Sequence, residues 1–199
     1  MSADEYDAEH RPPALGSVVE EGRGSLPFHL IHGEALVACA SWALGEAGVM
    51  PVDIGTNWAG IVDADEPFVL HDALCPMTPA SFIADCVATA VEQDRIVVAV
   101  RPVTDTVKEI DDGFVGATVD RADLVQVASP VVLPARVVAG LDGFPSLDFV
   151  ELVATLRAAH PVELRLAPPE GRRVGDDEEI RVLEGLTRGE WRAGDLPGT

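Results

Sequence analysis

The sequence predicts an α/β fold in which a mainly parallel sheet carries helices on both faces. Ile96–Val100 is a continuous apolar, β-branched run, which is typical of a strand that is buried on both faces. The segment after Thr78-Pro79 instead repeats its apolar residues at a helical spacing. Segments of these two kinds alternate along the chain, and this alternation favours three layers, with the sheet between two layers of helices.

The first half of the chain alternates short apolar runs with one helical pattern. The predicted elements are strand Leu15–Val19, helix Glu34–Glu46 with Gly48 as its stop, strand Met50–Ile54, a loop over Gly55–Pro67 and strand Phe68–Leu70. Thr78 is predicted to cap the next helix, with Pro79 at its first position. The apolar residues expected on the buried face of that helix are Phe82, Ile83, Cys86, Val87, Ala90 and Val91.

The second half contains a hairpin signal. Asp111-Asp112-Gly113 lies in the middle of Val103–Thr118 and predicts a tight turn between two strands. Because such a hairpin does not fit a parallel core, we expect an arm over residues 103–120 that projects from it. The remaining predicted elements are helices Leu133–Leu141 and Leu147–Ala159, the stop Pro161, strand Val162–Leu166 and helix Asp176–Leu186. One domain is expected over residues 14–188, between a disordered acidic tail (1–13) and a loose C-terminal tail (189–199).

The composition limits the classes of partner. The chain has 199 residues and a formal net charge of -20, and Lys108 is its sole lysine. Such an acidic surface repels nucleic-acid phosphates and anionic membranes. We therefore expect neither a nucleic acid nor a membrane as a partner. The longest apolar run, Ala35–Leu44, is too short for a membrane span. Three cysteines without metal-type spacing, and an N-terminus without an apolar signal core, favour a reduced, cytoplasmic setting.

His71-Asp72 marks the candidate site. The pair follows the apolar run Phe68–Leu70, and a carboxylate just past a buried strand lies where open α/β sheets bind ligands and metals. Asp72 could therefore be a metal ligand, or it could cap the following turn. The residues alone leave both interpretations open.

Four short motifs, in the same order along the chain, resemble those of one enzyme family. They read HDALCP at 71–76, TDTVK at 104–108, DRADL at 120–124 and ASPV at 128–131. The chain resembles the 2-C-methyl-D-erythritol 4-phosphate cytidylyltransferase family, whose corresponding elements are HDAARP, T-D-T-x-K, D-R-x-x-L and T-P-Q. The resemblance extends over about residues 15–187.

The resemblance implies a Rossmann-like nucleotidyltransferase fold, CTP as nucleotide, a magnesium ion, and a homodimer whose arms reach into the partner's site. It also implies a role in isoprenoid precursor biosynthesis. The catalytic residues would correspond to Asp72, which would also bind the metal, Arg121 and Arg173. The substrate-binding residues would correspond to Asp105, Thr106, Lys108 and Ser129. Arg121 would reach the phosphorylated alcohol from the partner's arm.

The departures from the family concentrate on the nucleotide half of the site. Gly22, Arg23 and Gly24 remain from the glycine-rich loop, but Pro27 stands about where the family has a lysine. Glu20 and Glu21 add negative charge where phosphates would lie. At an effective dielectric of about 20, one like-charge contact near 4 Å costs roughly 4 kcal/mol. The family's Gly-Gly-x-x-Arg segment is also absent, and the arginine of HDAARP is Cys75.

These departures predict a degenerate, weakly active or inactive homologue that dimerises and binds a small phosphorylated ligand. The alternatives are an active nucleotidyltransferase with an altered nucleotide site, and a non-catalytic partner in a mixed dimer with a genuine family enzyme. Several matched residues also have purely structural interpretations. Asp105 fits a polar turn, Lys108 an edge-strand charge and Arg121 a surface ion pair. Cys75 is interpreted as a buried thiol.

Overall fold

A six-stranded sheet forms the centre of the computed structural model, which describes residues 11–103, 108–111, 114–118 and 124–189. Its strands are β1 (Ala14–Val19), β4 (Val49–Pro51), β5 (Phe68–Asp72), β6 (Ile96–Pro102), β9 (Val125–Leu133) and β10 (Val162–Leu166). Their order across the sheet is β10-β6-β9-β5-β1-β4. Only β9 runs antiparallel to its neighbours, so the predicted α/β fold with a mainly parallel sheet is confirmed.

Helices cover both faces of the sheet. They are α1 (Leu36–Glu46), α2 (Trp58–Asp63), α3 (Ala80–Gln93), α4 (Ala135–Ala139), α5 (Phe149–Leu156) and α6 (Asp177–Thr187). Helices α2, α4 and α5 pack on one face, and α1 and α3 pack on the other. Within the described ranges, every helix is too short or too polar to cross a bilayer.

Two small antiparallel ribbons complete the fold. The first pairs β2 (Leu30–Ile31) with β3 (Glu34–Ala35), immediately before α1. The second pairs β7 (Lys108–Asp111) with β8 (Phe114–Thr118), which confirms the predicted hairpin. Only the backbone of this second ribbon is described, and its turn lies outside the described residues.

Strand β9 is the largest element that the sequence did not predict. Pro130 lies inside it, and proline is unfavourable in a central strand because it has no N–H to donate. The structure places Pro130 at an irregularity of the ladder, where the register shifts between the pairs Val98–Val131 and Val100–Val127. The predicted helix Leu133–Leu141 is accordingly wrong at its start, because Leu133 ends β9 and α4 begins at Ala135.

Three other local predictions are corrected. The predicted loop Gly55–Pro67 contains α2, whose first turn is capped by the Asn57 side chain accepting from the Ala59 N–H. Thr78 does not cap α3, because its hydroxyl donates to the Cys75 carbonyl and Pro79 takes the cap position. Val91 is exposed rather than part of the buried face of α3.

Candidate functional site

The register between two parallel strands places a loop beside Asp72. Strands β1 and β5 are neighbours, and Val19 lies opposite Asp72 at their carboxyl ends. The chain leaves β1 through Glu20 and Glu21, so the loop that follows begins next to the carboxylate. This is the edge at which open α/β sheets bind ligands.

The loop turns on two glycines that flank Arg23. Gly22 and Gly24 have φ of 73° and 62°, a left-handed backbone conformation that favours glycine. The Arg23 guanidinium folds back and donates through Nη1 to the Glu21 carbonyl at 2.8 Å. The loop therefore directs an arginine, rather than an open ring of N–H groups, toward the end of β5.

Arg23 and Asp72 form a two-bond ion pair. Arg23 Nε lies 3.3 Å from Asp72 Oδ1, and Nη2 lies 3.3 Å from Oδ2. Nη2 also donates to the Leu147 carbonyl at 2.9 Å, and the guanidinium carbon lies 5.5 Å from the centre of the Phe149 ring. Arg23 thus links the loop, β5 and the start of α5.

A second arginine reaches the same carboxylate from the C-terminal part of the chain. Arg173 Nε donates to Asp72 Oδ2 at 3.1 Å. The Val174 N–H donates to the Leu74 carbonyl at 2.8 Å, which holds this segment against the turn that follows β5. Arg23, Asp72 and Arg173 therefore form one cluster, hereafter the Arg–Asp–Arg cluster, with one net positive charge.

The donors around Asp72 leave its carboxylate no vacant position for a metal ion. Oδ1 accepts from the Leu74 N–H at 3.0 Å as well as from Arg23, and Oδ2 accepts from both arginines. A carboxylate offers about four lone-pair directions, and these are all used. Within the described ranges, no group of three His, Cys, Asp or Glu side chains is arranged to hold a metal ion. The residues present therefore do not fit the magnesium site that the resemblance implies.

Burial differs across the cluster. The side chains of Asp72 and Arg23 are 2% and 7% exposed, whereas that of Arg173 is 36% exposed. Water screens Arg173 and hardly reaches the other two. Of the three, Arg173 is accordingly the residue that a ligand from solvent can contact.

A cavity of about 530 Å³ lies on the other side of the loop. It is bordered by the end of β1, by α1 and by the segment after β4. Among the residues that the structure describes, its lining includes Glu20, Glu21 and Asp53 but no lysine or arginine. Carboxylates without a matching cation oppose an incoming phosphate. The cavity is therefore unsuited to the triphosphate of a nucleotide.

Comparison with known proteins shows which family the middle of the chain is similar to. A profile of 2-C-methyl-D-erythritol 4-phosphate cytidylyltransferase matches residues 56–141. Curated relatives with that name include one from Symbiobacterium thermophilum, 34% identical over 56% of this chain and 54% of its own. Another, from Parasynechococcus marenigrum, is 30% identical over 64% of this chain and 58% of its own. Over these residues the chain is similar to the 2-C-methyl-D-erythritol 4-phosphate cytidylyltransferase family.

Solved structures agree at the level of the fold. The 4-diphosphocytidyl-2C-methyl-D-erythritol synthase of Anaerococcus prevotii aligns with a TM-score of 0.65 at 12% identity, over 89% of this chain and 99% of that one. The 2-C-methyl-D-erythritol 4-phosphate cytidylyltransferase of Thermus thermophilus aligns with a TM-score of 0.63 at 17% identity, over 87% and 98%. The sequence matches cover only 35% to 61% of the length of the first five curated relatives.

The matched stretch does not contain the whole candidate site. Residues 56–141 include Asp72 and Ser129, but both Arg23 and Arg173 lie outside them. Asp105, Thr106 and Arg121 lie within the match but outside the described residues, and only the backbone of Lys108 is described. The predicted roles of these four residues stay predictions.

Ser129 is buried behind the cluster. Its hydroxyl oxygen lies 2.5 Å from His71 Nδ1 and accepts from the Asp72 N–H at 2.9 Å. These contacts fix the end of β5, and they turn the hydroxyl away from solvent. Its predicted contact with substrate stays a prediction, against which this burial argues.

Cys75 has the environment of an inert thiol. The residue is fully buried, and burial raises its pKa, with the neighbouring Asp72 carboxylate acting in the same direction. Only a thiolate is a good nucleophile. The interpretation of Cys75 as a buried thiol is confirmed.

Sequence reasoning missed two parts of the site. The Leu147 carbonyl and the Phe149 ring fix the Arg23 guanidinium, although neither residue belongs to a recognised motif. A lone arginine between two glycines was the available signal, but its partners lie at distant positions in the chain. Only the fold brings them together.

Proposed function

We propose that this chain is a degenerate, weakly active or inactive member of the cytidylyltransferase family that binds a small phosphorylated ligand at Arg173. The observation that carries the proposal is the saturation of the Asp72 carboxylate by two arginines and a backbone N–H. All three nitrogens of the Arg23 guanidinium are thereby engaged within the chain itself, whereas Arg173 pairs with Asp72 through Nε. The Asp72 carboxylate is therefore not open to a metal, and of the two arginines only Arg173 has exposed surface for a phosphate.

The chemistry of nucleotidyl transfer explains why this arrangement impairs turnover. Phosphoryl-type transfer depends mostly on positioning and on neutralising charge that develops on phosphate oxygens. Here the loop after β1 begins with two exposed glutamates, and the part of the chain that the structure describes adds no basic residue to the lining of the adjacent cavity. The charge at this end of the sheet therefore opposes a nucleotide.

The ligand side of the proposal depends on Arg173. Its Nε is held by Asp72, while more than a third of its side chain is exposed. The cluster keeps one net positive charge, and a guanidinium can pair with two oxygens of one phosphate. A phosphate monoester, the form of the family's alcohol substrate, therefore suits this position better than CTP does.

Titration calorimetry separates the two halves of the proposal. We expect methylerythritol phosphate to bind, CTP with magnesium not to bind, and pyrophosphate not to be released when all three are combined. Arg173→Ala should abolish binding of the phosphate monoester. Arg136→Ala is the matched control, because Arg136 is an exposed arginine paired with Asp94 elsewhere on the surface.

Two results would contradict the proposal. Pyrophosphate release at an ordinary enzymatic rate would show an active nucleotidyltransferase with an altered nucleotide site. Binding of neither ligand would remove the ligand half. The homodimer through the arm (103–120) stays a prediction, because the hairpin β7–β8 is described only as backbone and Arg121 is not described.

A further inference from the structure

Strand β10 leaves an open edge on the central sheet. It comes first in the strand order, and within the described residues β6 is the one strand that pairs with it. An exposed edge carries a row of N–H and C=O groups that another strand can bind. The edge is therefore available for pairing unless something covers it.

The hydrogen bonds at the two ends of β10 show which of its residues face outward. The Pro161 carbonyl accepts from the Ile96 N–H at 3.1 Å, and the Ala167 N–H donates to the Val100 carbonyl at 2.9 Å. In a parallel ladder, alternate residues direct both backbone groups to the same neighbour. The outward backbone groups therefore belong to the residues between, Val162, Leu164 and Leu166.

The side chains of β10 divide into an apolar face and a charged face. Leu164 and Leu166 lie in register with Val98 and Val100 on the α5 side, yet they are 53% and 64% exposed. Glu163 and Arg165 lie on the α3 side, 4.0 Å apart between Oε1 and Nη1. Exposed leucines on an unpaired edge strand are costly unless another surface covers them.

The residue order V-E-L-R-L is complementary to itself in the antiparallel direction. A two-fold axis through Leu164 places Leu164 opposite its own copy and Val162 opposite Leu166 of the second copy. The same axis places Glu163 opposite the second Arg165, with opposite charges facing each other on both sides. Apolar residues thus meet apolar ones, and each acid meets a base.

The backbone pattern selects the same register. Val162, Leu164 and Leu166 carry the outward N–H and C=O groups, and under this axis they fall opposite one another as hydrogen-bonded pairs. Glu163 and Arg165 then form the non-hydrogen-bonded pairs, in which opposite side chains come closer together. Backbone geometry, apolar contact and charge therefore agree on one arrangement.

We propose that β10 is a homodimerisation edge, at which two copies of this chain join their sheets through antiparallel β10–β10 pairing centred on Leu164. The interface is isologous, because the same surface meets itself about a two-fold axis. A parallel pairing in register would instead oppose like charges, so the charges select direction as well as partner. The inference does not depend on ligand binding or on nucleotidyl transfer.

Charge exchange provides the test. Glu163→Arg and Arg165→Glu each place like charges opposite each other in a β10–β10 dimer. An equimolar mixture of the two variants restores both opposite-charge pairs in the mixed dimer. Sedimentation of the full chain in about 0.15 M salt, where the Debye length is about 8 Å, keeps the large net negative charge from dominating association.

We expect the mass of the unsubstituted chain to double as concentration rises, each variant alone to lose this doubling, and the mixture to regain it. The amide hydrogens of Val162, Leu164 and Leu166 should exchange more slowly in the dimer. Circular dichroism checks that each variant is folded, and Arg136→Glu is the control for an exposed arginine away from the edge.

Four results would overturn the proposal. The first is a mass that does not rise with concentration, and the second is an association that neither substitution weakens, as association through the arm alone would be. The third is a dimer that both substitutions weaken and the mixture does not restore. Slow exchange of the three amides without any concentration dependence would show that a segment of the same chain covers the edge, and would also overturn it.

Discussion

The Arg23 guanidinium meets the Asp72 carboxylate through two 3.3 Å contacts, although 49 positions separate the residues in the chain. The contact joins the loop after β1 to the end of β5. Arg173, in the segment after β10, donates to the same carboxylate. In consequence, the carboxylate that the sequence suggests as a metal ligand acts as an internal counter-ion. The site is filled by the protein's own charges.

Asp72→Asn is expected to destabilise the fold strongly. The substitution removes the negative charge and leaves the 7% exposed Arg23 side chain without compensation. Breaking a buried ion pair by removing one partner costs about 3–5 kcal/mol. Urea denaturation should show this decrease in the free energy of unfolding.

Asp94→Asn is the matched control for that experiment. Asp94 pairs with Arg136 at 2.7 Å, but both side chains are exposed. Exposed pairs contribute about 0–1 kcal/mol, so this variant should unfold close to the unsubstituted chain. Equal losses for the two variants would show that the Arg–Asp–Arg cluster has no special structural role.

Magnesium is expected to leave the melting temperature unchanged. A ligand that binds only the native state raises the apparent stability, but binding at Asp72 would require the metal to displace an arginine or the Leu74 N–H. Thermal melts across a magnesium titration measure the effect. A saturable rise in the melting temperature that disappears in Asp72→Asn would place a metal at this carboxylate. It would contradict the finding that hydrogen-bond donors occupy all the lone-pair directions of Asp72.

The sequence predicted the elements that have strong local signals. Strand Val162–Leu166 is confirmed at both ends, and the turn signal Asp111-Asp112-Gly113 runs from the last residue of β7 to the residue before β8. Strand β9 was missed because Pro130 argues locally against a central strand, whereas the irregular ladder to β6 accommodates it. Helix α2 was missed because its six residues are too few for a clear period.

The candidate site was predicted as a set of residues but not as a network. The sequence indicates three candidate residues, each for a separate reason: Asp72, Arg23 and Arg173. Arg173 lies 101 positions from Asp72, and no periodicity relates residues at that distance. The pairing depends on the strand order and on the segment after β10, which only the fold supplies.

The three cysteines are expected to react slowly with thiol reagents in the native protein. Burial raises the pKa of Cys39 to about 11 and that of Cys86 to about 12, and it raises the pKa of Cys75 as well. Each pKa unit lowers the thiolate fraction at neutral pH about tenfold. Labelling with a disulfide reagent should be slow without urea and complete in its presence. One rapidly labelled thiol in the folded protein would contradict the assignment of all three as buried.

Acid should destabilise the fold through His71. Burial lowers the pKa of this imidazole to about 4, and the Asp72 carboxylate acts in the opposite direction with a smaller effect. The folded value lies below the unfolded value of about 6.5, so the unfolded chain takes up the proton first as pH falls. The stabilising effect is complete above about pH 6.5 and is lost between there and about pH 4. It amounts to about 3 kcal/mol.

Carboxylates also titrate in this pH range. The experiment therefore compares how steeply the free energy of unfolding falls with pH in each variant, rather than the slope of one protein alone. His71→Gln should flatten the fall in the free energy of unfolding between about pH 7 and about pH 4.5. His160→Gln is the control, because His160 is only partly buried and lies in the loop before β10. If His71→Gln left the slope unchanged, the buried imidazole would not be the group whose protonation couples to unfolding. A flatter slope in His71→Gln alone would assign that part of the acid sensitivity to the buried contact between His71 and Ser129, behind the Arg–Asp–Arg cluster.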